Sequence, residues 1–155
     1  MKYYAVIDTN VIVSSFLKKG SIPNQVVNQA AEGDITPLIS DEILLEYQQV
    51  LERNKFGLSQ DEVDNLLAKF NERGIRLDRT ITDEEFIDSD DIIFYEIALT
   101  GKKEKETYLI TGNKKHFPVK SFVVTPREMM DIIESDKKCN WESLALFFID
   151  LRQHI

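Results

Sequence analysis

Cysteine is almost absent from this chain. Cys139 stands alone among 155 residues, so no intramolecular disulfide can form and a reducing compartment is expected. Long apolar runs are missing as well, and none would cross a bilayer as a helix. The first apolar run closes on Asp8, too soon for the core of a secretory leader. From these absences we expect a cytoplasmic protein with no membrane partner. Histidine is scarce, and no second one stands near His116 to complete a zinc set. A nucleophilic triad does not emerge either, because Cys139 lies in the tail and neither His116 nor His154 has an evident nucleophile beside it. An excess of base is also lacking. With 19 Lys and Arg against 27 Asp and Glu, the formal charge of −8 argues against a large nucleic-acid surface. It leaves room for a metal-dependent site, since clustered carboxylates add negative charge that a divalent cation locally reverses.

What is present is an alternating pattern. Short apolar runs at Tyr4–Ile7, Pro37–Ile39, Tyr108–Ile110 and Phe122–Val124 are each followed by a helical pattern, as in βαβ units around a buried parallel sheet. The spacing predicts helices over 11–18, 23–32, 41–53, 60–73, 91–100 and 127–135, with a last one over 141–152. Gly20, Gly33, Gly74 and Gly101 fall where helices should stop, and Pro23 and Pro126 where two should begin. The fold class expected is α/β, a three-layer α/β/α sandwich with a central, mostly parallel sheet. The apolar positions Trp141, Leu144, Ala145, Phe148 and Leu151 share one helical face, read here as a terminal helix docked on its own domain.

Four segments place oxygen-bearing side chains at strand ends or helix starts, where open α/β sheets gather their ligands. Asp8 ends the first strand; Asn10, nearer the helix start, is expected to cap that helix and so free Asp8. Glu46 borders the stripe Ile43, Tyr47 and Val50. In the run Asp88-Ser89-Asp90-Asp91, Asp91 shares the face of Phe94 and so points inward, favoured by the helix dipole. Asn113 ends Leu109-Ile110-Thr111-Gly112-Asn113 and offers a helix cap, a neutral oxygen ligand or a group that orients water. Hard cations such as Mg²⁺ and Mn²⁺ take carboxylate and carbonyl oxygens, lower the pKa of a bound water and stabilise charge on a phosphoryl oxygen. Lys114, Lys115 and His116 lie beside this set and are candidate phosphate contacts.

Val6-Ile7-Asp8-Thr9-Asn10-Val11, Leu44-Leu45-Glu46-Tyr47, Asp88-Ser89-Asp90-Asp91 leading to Ala98-Leu99, and Leu109-Ile110-Thr111-Gly112-Asn113 together resemble the motifs of PIN domains. The nearest likeness is to the bacterial toxins of toxin–antitoxin pairs, VapC-like ribonucleases. The likeness covers roughly residues 1–130 and implies a PIN-like nuclease domain, expected over 1–136, with 137–155, beyond the likeness, a helical extension of the same domain. It also implies a Mg²⁺- or Mn²⁺-dependent endoribonuclease, with Asp8, Glu46 and Asp91 as metal ligands and Asn113 completing the catalytic set. Thr9, Asn10 and Thr111 would support the acids. A metal-activated water would cleave the RNA phosphodiester, and the implied partners are an RNA substrate, an antitoxin protein and a second copy of the chain. Many PIN domains carry aspartate where this chain has Asn113, which bears on a second metal. The alternative is a catalytically weak PIN-like module that binds RNA or a protein. An aspartyl-phosphate phosphatase would need an acid two residues after Asp8, where Asn10 stands.

Overall fold

A computed structural model describes residues 3–154. Its centre is a five-stranded, wholly parallel sheet in the order β3-β2-β1-β4-β5. The strands are β1 (Tyr3–Ile7), β2 (Ile35–Ile39), β3 (Ile75–Arg76), β4 (Thr107–Ile110) and β5 (Val123–Val124). The helices are α1 (Thr9–Leu17), α2 (Ile22–Glu32), α3 (Asp41–Leu51), α4 (Gln60–Arg73), α5 (Ile92–Lys102) and α6 (Pro126–Gln153). They cover the sheet as an α/β/α sandwich, the class expected from the alternation of short apolar runs and helical patterns. Ala5, Val6 and Ile7 are buried in β1, and Leu109 and Ile110 in β4. That burial on both faces is why these strands read as continuous apolar runs.

The order of the strands decides where a site can form. From β1 the chain moves one way to β2 and β3, then returns through α5 to β4 and β5 on the other side. The reversal leaves a crevice between the carboxyl ends of β1 and β4, the usual ligand position in open α/β sheets. Val6 pairs with Leu109 and Ile7 with Ile110, so residues 8 and 111 emerge side by side. The Asp8 amide donates to Ile110 O at 2.9 Å and extends that pairing to the edge of the crevice.

Several local expectations need correction. β3 had no counterpart in the sequence reading, because two residues are too few to show a period. Gly101 does not end α5 but lies inside it. A Cβ there would sit 2.6 Å from Leu38 Cδ1 and 2.8 Å from Thr107 Oγ1, so glycine lets the helix close onto the sheet. Asp91 ends a 3₁₀ turn over Ser89–Asp91 instead of opening α5. The two last helices are one: α6 runs unbroken, started by a capping box between Thr125 and Glu128 with Pro126 in its first turn. Its buried residues end at Ile133, and the tail is not docked. Trp141 is 73% exposed, and Leu144, Leu146, Phe147, Phe148, Ile149 and Leu151 are exposed too. No helix among the described residues is long and apolar enough to cross a membrane.

Candidate active site

Asp8 occupies the position that caps α1, yet its side chain makes no capping bond. It is 5% exposed and accepts a hydrogen bond from Thr111 Oγ1 at 2.8 Å. Burial pushes its carboxyl above the ordinary range, opposed by that hydroxyl, the Asn10 and Thr9 amides and His116. Thr111 is wholly buried, and its Oγ1 also accepts the Asn113 amide at 3.0 Å. One hydroxyl therefore ties the ends of both central strands together. Asn10 was expected to cap α1; instead its Oδ1 accepts the Gly112 amide at 3.2 Å, bridging the same two strand ends. Thr9 Oγ1 is buried without a hydrogen-bond partner among the described residues.

Asp91 comes from the other side of the crevice, held by the Ser89–Asp91 turn. Asp88 fixes that turn by accepting the Asp90 amide at 2.9 Å. The Asp91 side chain is 14% exposed, with Oδ2 3.2 Å from His116 Nδ1. Its carboxyl is pushed up to about 6, first by burial and then by the charge of Asp8, while His116 pulls the other way. Glu46 sits on α3, which is pinned beneath β1 by Tyr47. The buried Tyr47 hydroxyl donates to Ile7 O, and its ring stacks on Phe94 at 6.2 Å between centroids. Burial raises the Glu46 carboxyl, and Asp90, Asp8 and Asp88 raise it further against the opposing charge of Arg53.

Asp8, Asp91 and Glu46 thus share one electrostatic neighbourhood, although each comes from a different element. As oriented, no three acidic, His or Cys side chains among the described residues come close enough to hold a metal ion. Asn113 precedes a 3₁₀ turn over Lys114–His116 and makes no capping bond. Lys114 turns away to Glu128, 3.1 Å from Oε1, while Lys115 is exposed.

A charged pair beside the acids had not been picked out from the sequence. Glu96 is 2% exposed on α5, and its Oε1 accepts Arg79 Nε at 2.8 Å and Nη2 at 2.5 Å. A glutamate inside the apolar run Ile92-Ile93-Phe94-Tyr95-Glu96-Ile97 is the signal that would have found it, since a buried charge calls for a partner. Arg79 lines a cleft of about 210 Å³ with Glu46, Glu42, Ser89, Asp90 and Ile93. The sequence profile of the PIN domain matches residues 4–115, the stretch that holds all three acids. None of the curated proteins compared with the chain matches it.

Proposed function

The chain belongs to the PIN domain family, a nuclease fold, and on that premise we propose that it is a Mg²⁺- or Mn²⁺-dependent endoribonuclease. We further propose that it is the toxin of a toxin–antitoxin pair. The observation that carries the nuclease reading is the crowding of Asp8, Asp91 and Glu46 at the crevice, where each carboxyl is raised in part by other acids or by burial. Like charges gathered in a half-buried place are costly until a cation completes them. Asp8, Asp91 and Glu46 are the residues that would hold Mg²⁺ or Mn²⁺, and their hard oxygens fit either ion. Bound there, the ion would activate water and stabilise charge on a phosphoryl oxygen.

The chain's own groups prepare the site. Thr111 fixes one oxygen of Asp8, leaving the other for the crevice. His116 steadies Asp91. Asn113, placed by its amide bond to Thr111 Oγ1, offers a neutral group to orient water. Lys115 and His116 are the candidate contacts for substrate phosphate at this rim. Lys114 joins them only by leaving Glu128.

A second reading has its own support. Asn113 stands where a fourth acid is common, and the three acids are not set as a preformed metal cluster. A module that binds RNA or a protein without turnover fits those two facts. Labelled single-stranded RNA with Mn²⁺ or Mg²⁺, beside a chelator and the Asp8→Asn and Asp91→Asn variants, separates the two. Metal-dependent cuts lost in both variants support the nuclease, whereas cuts retained in both sink it. Binding without cuts favours the module. The antitoxin, the homodimer and the cytoplasmic setting belong to the proposal through the family likeness. A native mass of the purified chain, alone and co-expressed with its neighbouring gene product, tests the first two.

A further inference from the structure

A chain of net charge −8 must hold a polyanion with few, well-placed cations. Around the acids, Lys114 is paired with Glu128, Lys120 with Glu84 and His116 with Asp91. Arg79 is placed differently. It lines the acid-bearing cleft with Glu46, and it also lines an adjoining groove of about 450 Å³ with Ser40, Arg76, Leu77 and Asp78. Glu42 borders both hollows too, so the two form one track past Glu46.

The guanidinium is held by one edge. Its Nε and Nη2 both donate to Glu96 Oε1, and Glu96 Oε2 accepts the Thr82 amide at 2.8 Å. Buried and fully engaged, Glu96 fixes the plane and direction of the group. The other edge faces the track, where Nη1 donates to Glu42 Oε2 at 3.0 Å. Glu42 is 59% exposed, so this outer pair is solvated and weak, unlike the inner one. A carboxylate on Nη1 marks the place of an anion, and a planar, rigid guanidinium suits a phosphate oxygen as well as a carboxylate.

We propose that Arg79 binds a backbone phosphate of the substrate strand in the groove beside the acids, with Glu42 as the exchangeable anion that the phosphate displaces. Arg79 is then a substrate-binding residue that sets which bond reaches Asp8 and Asp91. The inference rests on the nuclease reading and specifies how the strand enters.

The test uses the full-length protein and a labelled single-stranded oligoribonucleotide, with binding read by anisotropy in chelator over a salt series. Cleavage is followed with Mn²⁺ at saturating and limiting RNA. Arg79→Lys should weaken binding by about tenfold, the loss of one charge-assisted hydrogen bond. Its salt slope should hold, because lysine keeps the positive charge; Arg79→Gln, which removes it, should lower the slope by about 0.7, the share of one phosphate on a single strand. KM should rise while kcat stays within about threefold, as for lost uniform binding. Glu42→Gln leaves the Glu96 anchor intact, so it does not depend on how the arginine variant folds; it should tighten binding by about threefold through loss of the competing charge. A folded Arg79→Lys protein with unchanged affinity overturns the proposal, as does Glu42→Gln binding no tighter. Either result, in a protein that still cuts RNA, leaves the nuclease reading standing. Wild-type protein that neither binds nor cuts RNA overturns both.

Discussion

Replacing Asp91 by asparagine should stabilise the metal-free protein while destroying its activity. Folding raises the Asp91 carboxyl from 3.8 to about 6, so the folded state holds this proton more tightly than the unfolded chain does. The contribution of such an acid to stability is greatest while it stays protonated and is lost as pH rises from about 4 through 6. At about 1.4 kcal/mol for each tenfold change in proton affinity, the loss has a ceiling of roughly 3 kcal/mol by pH 7. The carboxyl stands at the rim of an open crevice, so solvent screening removes a good part of this ceiling. Asparagine carries no charge and escapes what remains of the cost, in which the favourable bond from His116 is already counted. The net gain expected at pH 7 is about 1–2 kcal/mol, or about 2–8 °C in Tm for a domain of this size. Thermal unfolding in chelator, followed by circular dichroism from pH 4 to 8, measures it directly. The gap between variant and wild type should open across that window and then level off. Adding Mn²⁺ should close or reverse it, because only the wild type keeps the full acid set. Equal Tm values at pH 7, or a gap no larger at pH 7 than at pH 4, would refute the view that Asp91 is held in a crowd of negative charge.

Three further outcomes are expected. Thr111→Val keeps the shape of a wholly buried side chain but removes the donor to Asp8 and the acceptor for the Asn113 amide. It should cost about 1–3 kcal/mol in urea unfolding and lower kcat at least tenfold, and a fully active variant would show that Asp8 needs no such placement. Deleting residues 139–155 removes an exposed tail that lies beyond the helix's last buried residue, Ile133, and beyond the Tyr3–Asp136 hydrogen bond. The shortened chain should unfold within about 1 kcal/mol of the full one, and a larger loss would mean that the tail packs on the domain after all. Asn113→Asp adds a fourth acid at the crevice and should raise Mn²⁺ affinity, read by isothermal titration; unchanged affinity argues against a second metal there.

Much of this architecture was legible because its central strands are buried on both faces. Val6-Ile7 and Leu109-Ile110 announced β1 and β4, and the polar residue after each marked the crevice. β3 was not legible, since Ile75–Arg76 gains its identity only by pairing with Leu38 and Ile39. The single helix α6 reads in the sequence as two, over 127–135 and 141–152, although no glycine or proline follows Pro126 to stop it. Its tail was read by one face, whereas Leu144 to Ile149 is apolar around the whole circumference and finds no cover on this domain. At the crevice, the residue types were readable but their partners were not. Asn10 bridges to Gly112, and Glu96 meets Arg79 only because a loop folds back over α5.

The bond from Thr111 to Asp8 joins residues 103 positions apart. During synthesis Asp8, Glu46 and Asp91 leave the ribosome before Thr111 does, so the earlier chain carries every acid and lacks the strand that places the first of them. β1 also waits for β4, its neighbour on one whole edge, and such distant pairings close late in folding. A nascent or truncated chain therefore carries the acids without the strand that sets them. The order of the strands thus makes the crevice one of the last parts of the domain to be completed, after nearly the whole of it has been made.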